Sequence, residues 1–165
     1  INACNDLWDS NYRFTLNIAG EIDTQNRSYV KNKRFKLIQD NPNIIFLGKC
    51  NNMREIYKKM DMVILPSWRE GLSKSILESA AMSLPIITTN VPGCNDIIVN
   101  EYSGLLVPLR NKEKLKSAIK IYLKNPELAL RFGMNARKTV SKIFTVEKIN
   151  NQILKIYENF LNIKV

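Results

Sequence analysis

The chain has 165 residues, 45% of them hydrophobic, and a formal net charge of +10. This length and apolar content suffice for a core, so we expect residues 1–165 to form a single domain. No apolar run reaches the ~20 residues of a membrane-spanning helix. The first residues also lack the basic and apolar regions of a signal peptide.

Cysteine and histidine usage indicates a reducing compartment. The sequence has no histidine, and its three cysteines, Cys4, Cys50 and Cys94, are far apart. A disulfide framework and a zinc site both lack the residues that they need. We therefore expect a cytoplasmic protein with no metal and no cofactor.

The basic residues outnumber the acidic ones by 25 to 15 and are spread along predicted helices. Ordinary solvated helix faces explain this distribution best. The main alternative is peripheral association with the inner face of an anionic membrane. Nucleic acid is not an expected partner, because basic and aromatic residues are not interleaved as stacked bases require.

Apolar runs alternate with stretches of helical periodicity along the chain. Strands are predicted at residues 14–19, 44–47, 62–65, 85–88 and 104–107. Helices are predicted at residues 1–8, 27–40, 53–60, from about 73 onward, and at 112–124, 127–142 and 146–161. This alternation predicts an α/β fold, a Rossmann-like parallel sheet with helices on both faces.

One junction in this pattern suits a phosphorylated ligand. The strand at 62–65 stops at Pro66, and a loop with Glu70 and Gly71 leads into a helix that begins near Ser73 and carries Glu78. A helix N-terminus offers unpaired N–H donors and partial positive charge, and glycine lets a ligand approach the backbone. The two carboxylates can accept hydrogen bonds from hydroxyls, as a sugar nucleotide would need.

The junction resembles the donor-binding half of the retaining glycosyltransferases of family 4, whose signature is two glutamates eight positions apart. Glu70 and Glu78 match that signature, and segments 88–98 and 103–108 resemble the family's next loop and last strand. The resemblance implies the C-terminal half of the two-domain GT-B fold, without that half's first strand and its Arg/Lys pair. We therefore expect a fragment of a two-domain enzyme, inactive without its N-terminal acceptor domain, rather than a natural truncation.

By this resemblance, Glu78 contacts the ribose hydroxyls of the donor. Glu70 contacts hydroxyls of the transferred sugar and stabilises positive charge at its anomeric carbon, which makes it the catalytic candidate. The alternatives are a solvent-facing glutamate at position 78 and, at position 70, a carboxylate that interacts with the helix dipole.

Four further residues are expected at the donor's diphosphate. Gly71, Leu72 and Ser73 would present backbone N–H groups, and Lys74 would add charge. A plain turn glycine and a surface lysine are the alternatives for Gly71 and Lys74.

Other positions follow or depart from the family pattern. Gly48 and Lys49 occupy the loop that lies beside the donor's base in the family, where contacts are largely through the backbone. The family usually has glycine at the position of Ser83 and glutamate at the position of Asp96, and the loop after Gly20 lacks the family's second glycine.

The function that the resemblance implies is transfer of a sugar, with retention, from a nucleotide-diphosphate sugar to an acceptor hydroxyl. The enzyme would be a hexosyltransferase-type glycosyltransferase of glycan or polysaccharide biosynthesis. A sugar-nucleotide epimerase of the same fold and a degenerate, non-catalytic interaction domain are the alternatives. The apolar residues of 146–161 are expected to pack against the missing domain or within their own domain.

Overall fold

The computed structural model describes residues 1–21 and 39–161. Contacts divide the chain into two compact units, Ile1–Glu55 and Ile56–Val165, and each unit is described by itself. The helix predicted at 27–40 lies almost wholly outside the described residues. The single domain expected from the sequence stays a prediction.

The first unit combines a helix with a small parallel sheet. Its elements are α1 (Asn2–Asp9), β1 (Leu16–Ala19) and β2 (Ile44–Gly48). The Trp8 indole stacks on Phe14 with ring centroids 5.1 Å apart and donates a hydrogen bond to the Phe14 carbonyl at 3.0 Å. This contact fixes the chain where it leaves α1, whose buried face consists of Ala3, Cys4 and Leu7.

The short helix α2 (Met53–Tyr57) ends earlier than predicted. Beyond Tyr57 the N–H groups of Lys59 and Met60 donate to the carbonyls three residues back, of Ile56 and Tyr57. This pattern is a turn and not a continued α-helix, so the predicted helix 53–60 is too long at its C-terminal end.

The second unit is built on three parallel strands. These are β3 (Val63–Leu65), β4 (Ile86–Thr89) and β5 (Leu105–Val107), in the order β3-β4-β5. All four residues of the central strand β4 are buried, as expected for a strand covered on both faces. Because the strands are parallel, the loops that follow them leave from the same edge of the sheet, where α/β proteins bind ligands.

The helices of the second unit begin where the sequence supplies caps. They are α3 (Lys74–Ala81), α4 (Lys112–Lys124), α5 (Pro126–Ile143) and α6 (Val146–Leu161). The Ser73 hydroxyl accepts from the Ile76 N–H, and the Asn111 side chain accepts from the Lys114 N–H at 2.9 Å. Pro126 occupies the first turn of α5, where its missing N–H costs no hydrogen bond.

Helix α3 ends in a turn that lets α5 pack closely. Ser83 has φ +60°, its N–H donates to Ala80, and the next N–H, of Leu84, donates to Ser79. This Schellman arrangement explains the family's usual glycine at position 83, since it needs a left-handed residue. A Cβ on Gly133 of α5 would lie 2.1 Å from the Ser83 carbonyl oxygen. The core beneath consists of Ile76, Ala80, Ile86, Val91, Cys94, Ile97, Ile98, Ala136 and Val140.

The last helix, α6, buries none of its residues. Its large apolar side chains remain accessible, up to 87% of the surface of Phe160 and 76% of that of Val146. Of the two alternatives for these residues, burial within their own domain is therefore wrong for the part of the chain that the structure describes.

Candidate functional site

The loop that follows β3 is fastened to β4 by two buried threonines. The Thr88 hydroxyl donates to the Leu65 carbonyl at 2.8 Å, and the Thr89 hydroxyl donates to the Ser67 carbonyl. These bonds fix the direction in which the loop leaves the sheet. The position of Glu70 is therefore set by two strands rather than one.

Glu70 is half-buried in this loop and held by a local hydrogen bond. The Ser67 hydroxyl donates a hydrogen bond to Glu70 Oε1 at 2.5 Å. Ser67 therefore orients the catalytic candidate. This role of Ser67 was not predicted, although a serine three positions before the glutamate was a usable signal.

The loop after β4 closes against the same segment at Gly93. Gly93 has φ +80°, and a Cβ on it would lie 2.4 Å from the Gly71 oxygen and 2.7 Å from the Glu70 oxygen. Its N–H donates to Asp96 Oδ2 at 2.8 Å, and its carbonyl accepts from the Ser73 N–H at 3.3 Å. Only glycine fits this contact, so Gly93 is a close-approach residue and not simply a turn residue.

The start of α3 presents N–H groups to solvent. Across residues 1–21 and 39–161, the N–H groups of Gly71, Leu72 and Lys74 have no hydrogen-bond acceptor, and all three residues are exposed. The Ser73 N–H, also expected at the diphosphate, already donates to Gly93. Free donors just before and at a helix N-terminus can bind an anion. Gly71, Leu72 and Lys74 have such a free N–H and Ser73 does not, and the role of all four at a diphosphate stays a prediction.

Glu78 lies further along α3 with different neighbours. Its Oε1 is 3.6 Å from Lys74 Nζ, one turn earlier, and the two side chains are 38% and 86% exposed. A pair this exposed adds little to stability. Burial raises the pKa of the Tyr57 phenol, and the charge of Glu78 raises it further, so Glu78 and Tyr57 interact. Lys74, which was expected to add charge at the diphosphate, is thus paired with Glu78 on its own helix.

A buried thiol lies beneath the Glu70 end of the junction. Burial raises the pKa of Cys94, hydrogen bonds with Thr88 and Thr89 partly offset this, and the charges of Glu70 and Asp96 raise the pKa again. Both carboxylates therefore act on one fully buried side chain.

Two expected residues lie in the first unit. Gly48 ends β2 with φ +62°, and Lys49 Nζ is 3.6 Å from Glu21 Oε2 on an exposed surface. Their role beside a base stays a prediction. Among the described residues, no group of three histidines, cysteines or carboxylates could hold a metal, and no helix is long and apolar enough to cross a bilayer. The expectations about metal, cofactor, membrane, nucleic acid and location stay predictions.

A family model for glycosyl transferases group 1 matches residues 1–139. The chain belongs to this family. It is similar to the capsular polysaccharide biosynthesis glycosyltransferase CapM of Staphylococcus aureus, with 27% identity over 150 residues that cover 91% of this chain and 39% of CapM. The chain thus spans about two fifths of that curated relative.

Solved structures agree on the fold. A glycosyltransferase from Rickettsia africae superimposes with a TM-score of 0.84 at 24% identity, over 98% of this chain and 43% of that chain. Anabaena Alr3699/HepE in complex with UDP gives 0.80 at 19% identity, over 88% and 41%. These likenesses confirm the predicted Rossmann-like fold, which corresponds to the C-terminal half of a GT-B glycosyltransferase.

Proposed function

We propose that this group 1 glycosyl transferase chain is the nucleotide-sugar-binding part of a retaining hexosyltransferase of glycan or polysaccharide biosynthesis. The observation that carries the proposal is the row of free N–H groups at Gly71, Leu72 and Lys74, which lies along the chain between Glu70 and Glu78. The name of CapM and the UDP bound by the Anabaena protein support it.

The proposed arrangement divides the donor among three groups of atoms. The N–H groups of Gly71 and Leu72 hold the diphosphate, and the helix dipole favours its negative charge. Glu70, oriented by Ser67, contacts the transferred sugar and stabilises the positive charge that develops at its anomeric carbon. Glu78 accepts hydrogen bonds from the ribose hydroxyls.

In this mechanism the diphosphate leaves from the face that the acceptor hydroxyl attacks. The protein stabilises the leaving phosphate electrostatically, and the chain has no histidine to act as an acid or base. The acceptor would bind to a part of the enzyme outside this sequence. The exposed apolar side chains of α6 support packing against such a part, because apolar surface of this extent is normally covered.

Two other functions make different predictions. A sugar-nucleotide epimerase would form product from the donor without an acceptor. A non-catalytic interaction domain would have no affinity for nucleotides.

Calorimetric titration with UDP, GDP and ADP tests the proposal, on the longest form of the protein that the gene encodes. We expect a clear preference for one nucleotide, and at least about tenfold weaker binding in Glu78→Ala, since hydrogen bonds to a charged group contribute about 1.5–3 kcal/mol. Glu113→Ala is the matched control, because it removes another helix glutamate paired with a lysine, Lys116. No binding by the unchanged protein, or equal binding by Glu78→Ala, would contradict the proposal.

A further inference from the structure

Trp68 and Arg110 form a stacked pair at the ligand-binding edge of the second unit. The Arg110 guanidinium carbon lies 4.0 Å from the centroid of the Trp68 ring. Trp68 belongs to the loop after β3 and Arg110 to the loop after β5, and these loops leave the same edge of the parallel sheet. The pair therefore connects the loop after β3 with the loop after β5. Strand β4, whose following loop carries Gly93, lies between these two strands.

The pair is costly as a purely structural feature. Trp68 keeps 64% of its surface in water, although an indole gains most from burial. Arg110 has φ +58°, a left-handed conformation that is unfavourable for a residue with a Cβ and that often occurs at functional sites. An exposed cation–π contact stabilises a fold only weakly.

Both side chains can make further contacts with a ligand. Within residues 1–21 and 39–161, Arg110 has no carboxylate partner and Trp68 has no contact besides Arg110 among hydrogen bonds, ion pairs and ring contacts. A guanidinium that lies over a ring can still donate its N–H groups to a planar or tetrahedral anion. Trp68, with most of its surface exposed, offers apolar ring surface to the C–H groups of a sugar.

The pair is also next to the proposed reaction site along the chain. Trp68 lies between Ser67, whose carbonyl is bound by Thr89, and Glu70. The loop that orients the catalytic candidate therefore also positions the indole. A ligand on the Trp68 ring would lie on the same loop as Glu70 without using the free N–H groups at the start of α3.

We propose that Trp68 and Arg110 form a second binding subsite, for a phosphorylated saccharide. The sugar ring stacks on Trp68, and the phosphate binds the N–H edge of Arg110. The inference rests on the proposed function, because it takes the start of α3 as the place of the donor's diphosphate.

Calorimetry with glucose 1-phosphate as the probe tests the subsite. The full chain is first saturated with the nucleotide that it prefers among UDP, GDP and ADP, so that the donor site is occupied, and glucose 1-phosphate, glucose and inorganic phosphate are then titrated separately. We expect saturable binding of glucose 1-phosphate, at least tenfold weaker in Arg110→Gln and in Trp68→Ala, and weaker binding of either half alone. Arg131→Gln is the matched control, since Arg131 also stacks on an aromatic ring, that of Phe132, but on helix α5.

The outcomes separate this inference from the proposed function. If one of UDP, GDP and ADP binds but glucose 1-phosphate does not, or if Arg110→Gln leaves the affinity for glucose 1-phosphate unchanged, the subsite is overturned and the proposed function stands. If inorganic phosphate binds as tightly as glucose 1-phosphate, the saccharide part is overturned. If none of the three nucleotides binds, the proposed function fails. The tryptophan fluorescence of Trp8→Phe, in which Trp68 is the remaining indole, gives a second readout.

Discussion

The two ends of the junction around α3 are built in different ways. At the Glu70 end, two loops contact each other closely, and Thr89, Ser67 and Gly93 fix the backbone. At the Glu78 end, a carboxylate on a regular helix has an exposed lysine and a buried phenol as neighbours.

This difference indicates how a donor would be recognised. A carboxylate that stabilises developing charge has to be held in place before the reaction, because reorganisation adds to the barrier. A carboxylate that binds ribose hydroxyls needs only to be within reach. We therefore expect backbone changes to act strongly at the Glu70 end and side-chain changes to act locally at the Glu78 end.

Gly93→Ala should have the largest effect. Its Cβ would clash with the carbonyl oxygens of Gly71 and Glu70 at a left-handed φ of +80°. We expect a loss of about 2–4 kcal/mol in the free energy of unfolding, from backbone strain and overpacking. Urea denaturation measures this loss. A variant that unfolds like the unchanged protein would show that the two loops do not depend on their close contact.

Gly71→Ala separates ligand binding from stability on the same loop. A Cβ on Gly71 would meet no heavy atom within 4 Å and the residue is not left-handed, so we expect the free energy of unfolding to change by less than about 1 kcal/mol. Donor affinity should still fall about tenfold or more, because the methyl group would occupy the approach of the diphosphate to the backbone. Unchanged affinity by calorimetry would argue against diphosphate binding here.

Alkaline pH should lower the free energy of unfolding through two buried groups, Cys94 at the Glu70 end of the junction and Tyr57 at the Glu78 end. Folding raises the pKa of Cys94 above its ordinary 9.0 and that of Tyr57 above 10.0. As pH rises, the unfolded chain therefore loses these protons before the folded protein does. The contribution of both groups to the free energy of unfolding is fully present below about pH 9 and is lost as pH rises toward their pKa values in the folded protein. The urea midpoint should be lower at about pH 10.5 than at about pH 7. Cys94→Ala should reduce this pH dependence, and an identical slope in that variant would count against the assignment.

Ser83→Gly should produce the smallest effect, and an opposite one. Ser83 holds φ +60° at the end of α3, where glycine avoids the steric cost of a side chain. We expect a gain of about 1 kcal/mol in the free energy of unfolding, with nucleotide affinity unchanged. A loss of stability in thermal or urea denaturation would mean that the Ser83 side chain contributes more than its backbone strain costs.

The sequence was sufficient for most of the regular elements that the structure describes. The predicted helices 112–124 and 146–161 agree with α4 (Lys112–Lys124) and α6 (Val146–Leu161), and the strands differ by one or two residues at their ends. Caps such as Asn111 and breaks such as Pro66 are local signals, so the sequence displays them directly.

The contacts that build the candidate site were not predictable in the same way. Gly93 meets Gly71 only after β4 has paired with β3, and Arg110 reaches Trp68 only across the whole sheet. The sequence placed Gly93 in segment 88–98, which resembles a loop of the family, but it did not indicate the close approach. The hydrogen bond from the Ser73 N–H to the Gly93 carbonyl was unpredictable for the same reason, because it too joins the loop after β3 to the loop after β4.

The most direct test is a comparison of Glu70→Ala and Glu78→Ala in calorimetric titrations with the nucleoside diphosphate that the protein prefers and with the hexose derivative of that nucleotide. Glu78→Ala should weaken both ligands by a similar factor, since both carry the ribose. Glu70→Ala should weaken the nucleotide-hexose and leave the nucleoside diphosphate unchanged, since the latter lacks the transferred sugar. If the two variants affect both ligands alike, or affect neither, the division of the donor between the two carboxylates is contradicted.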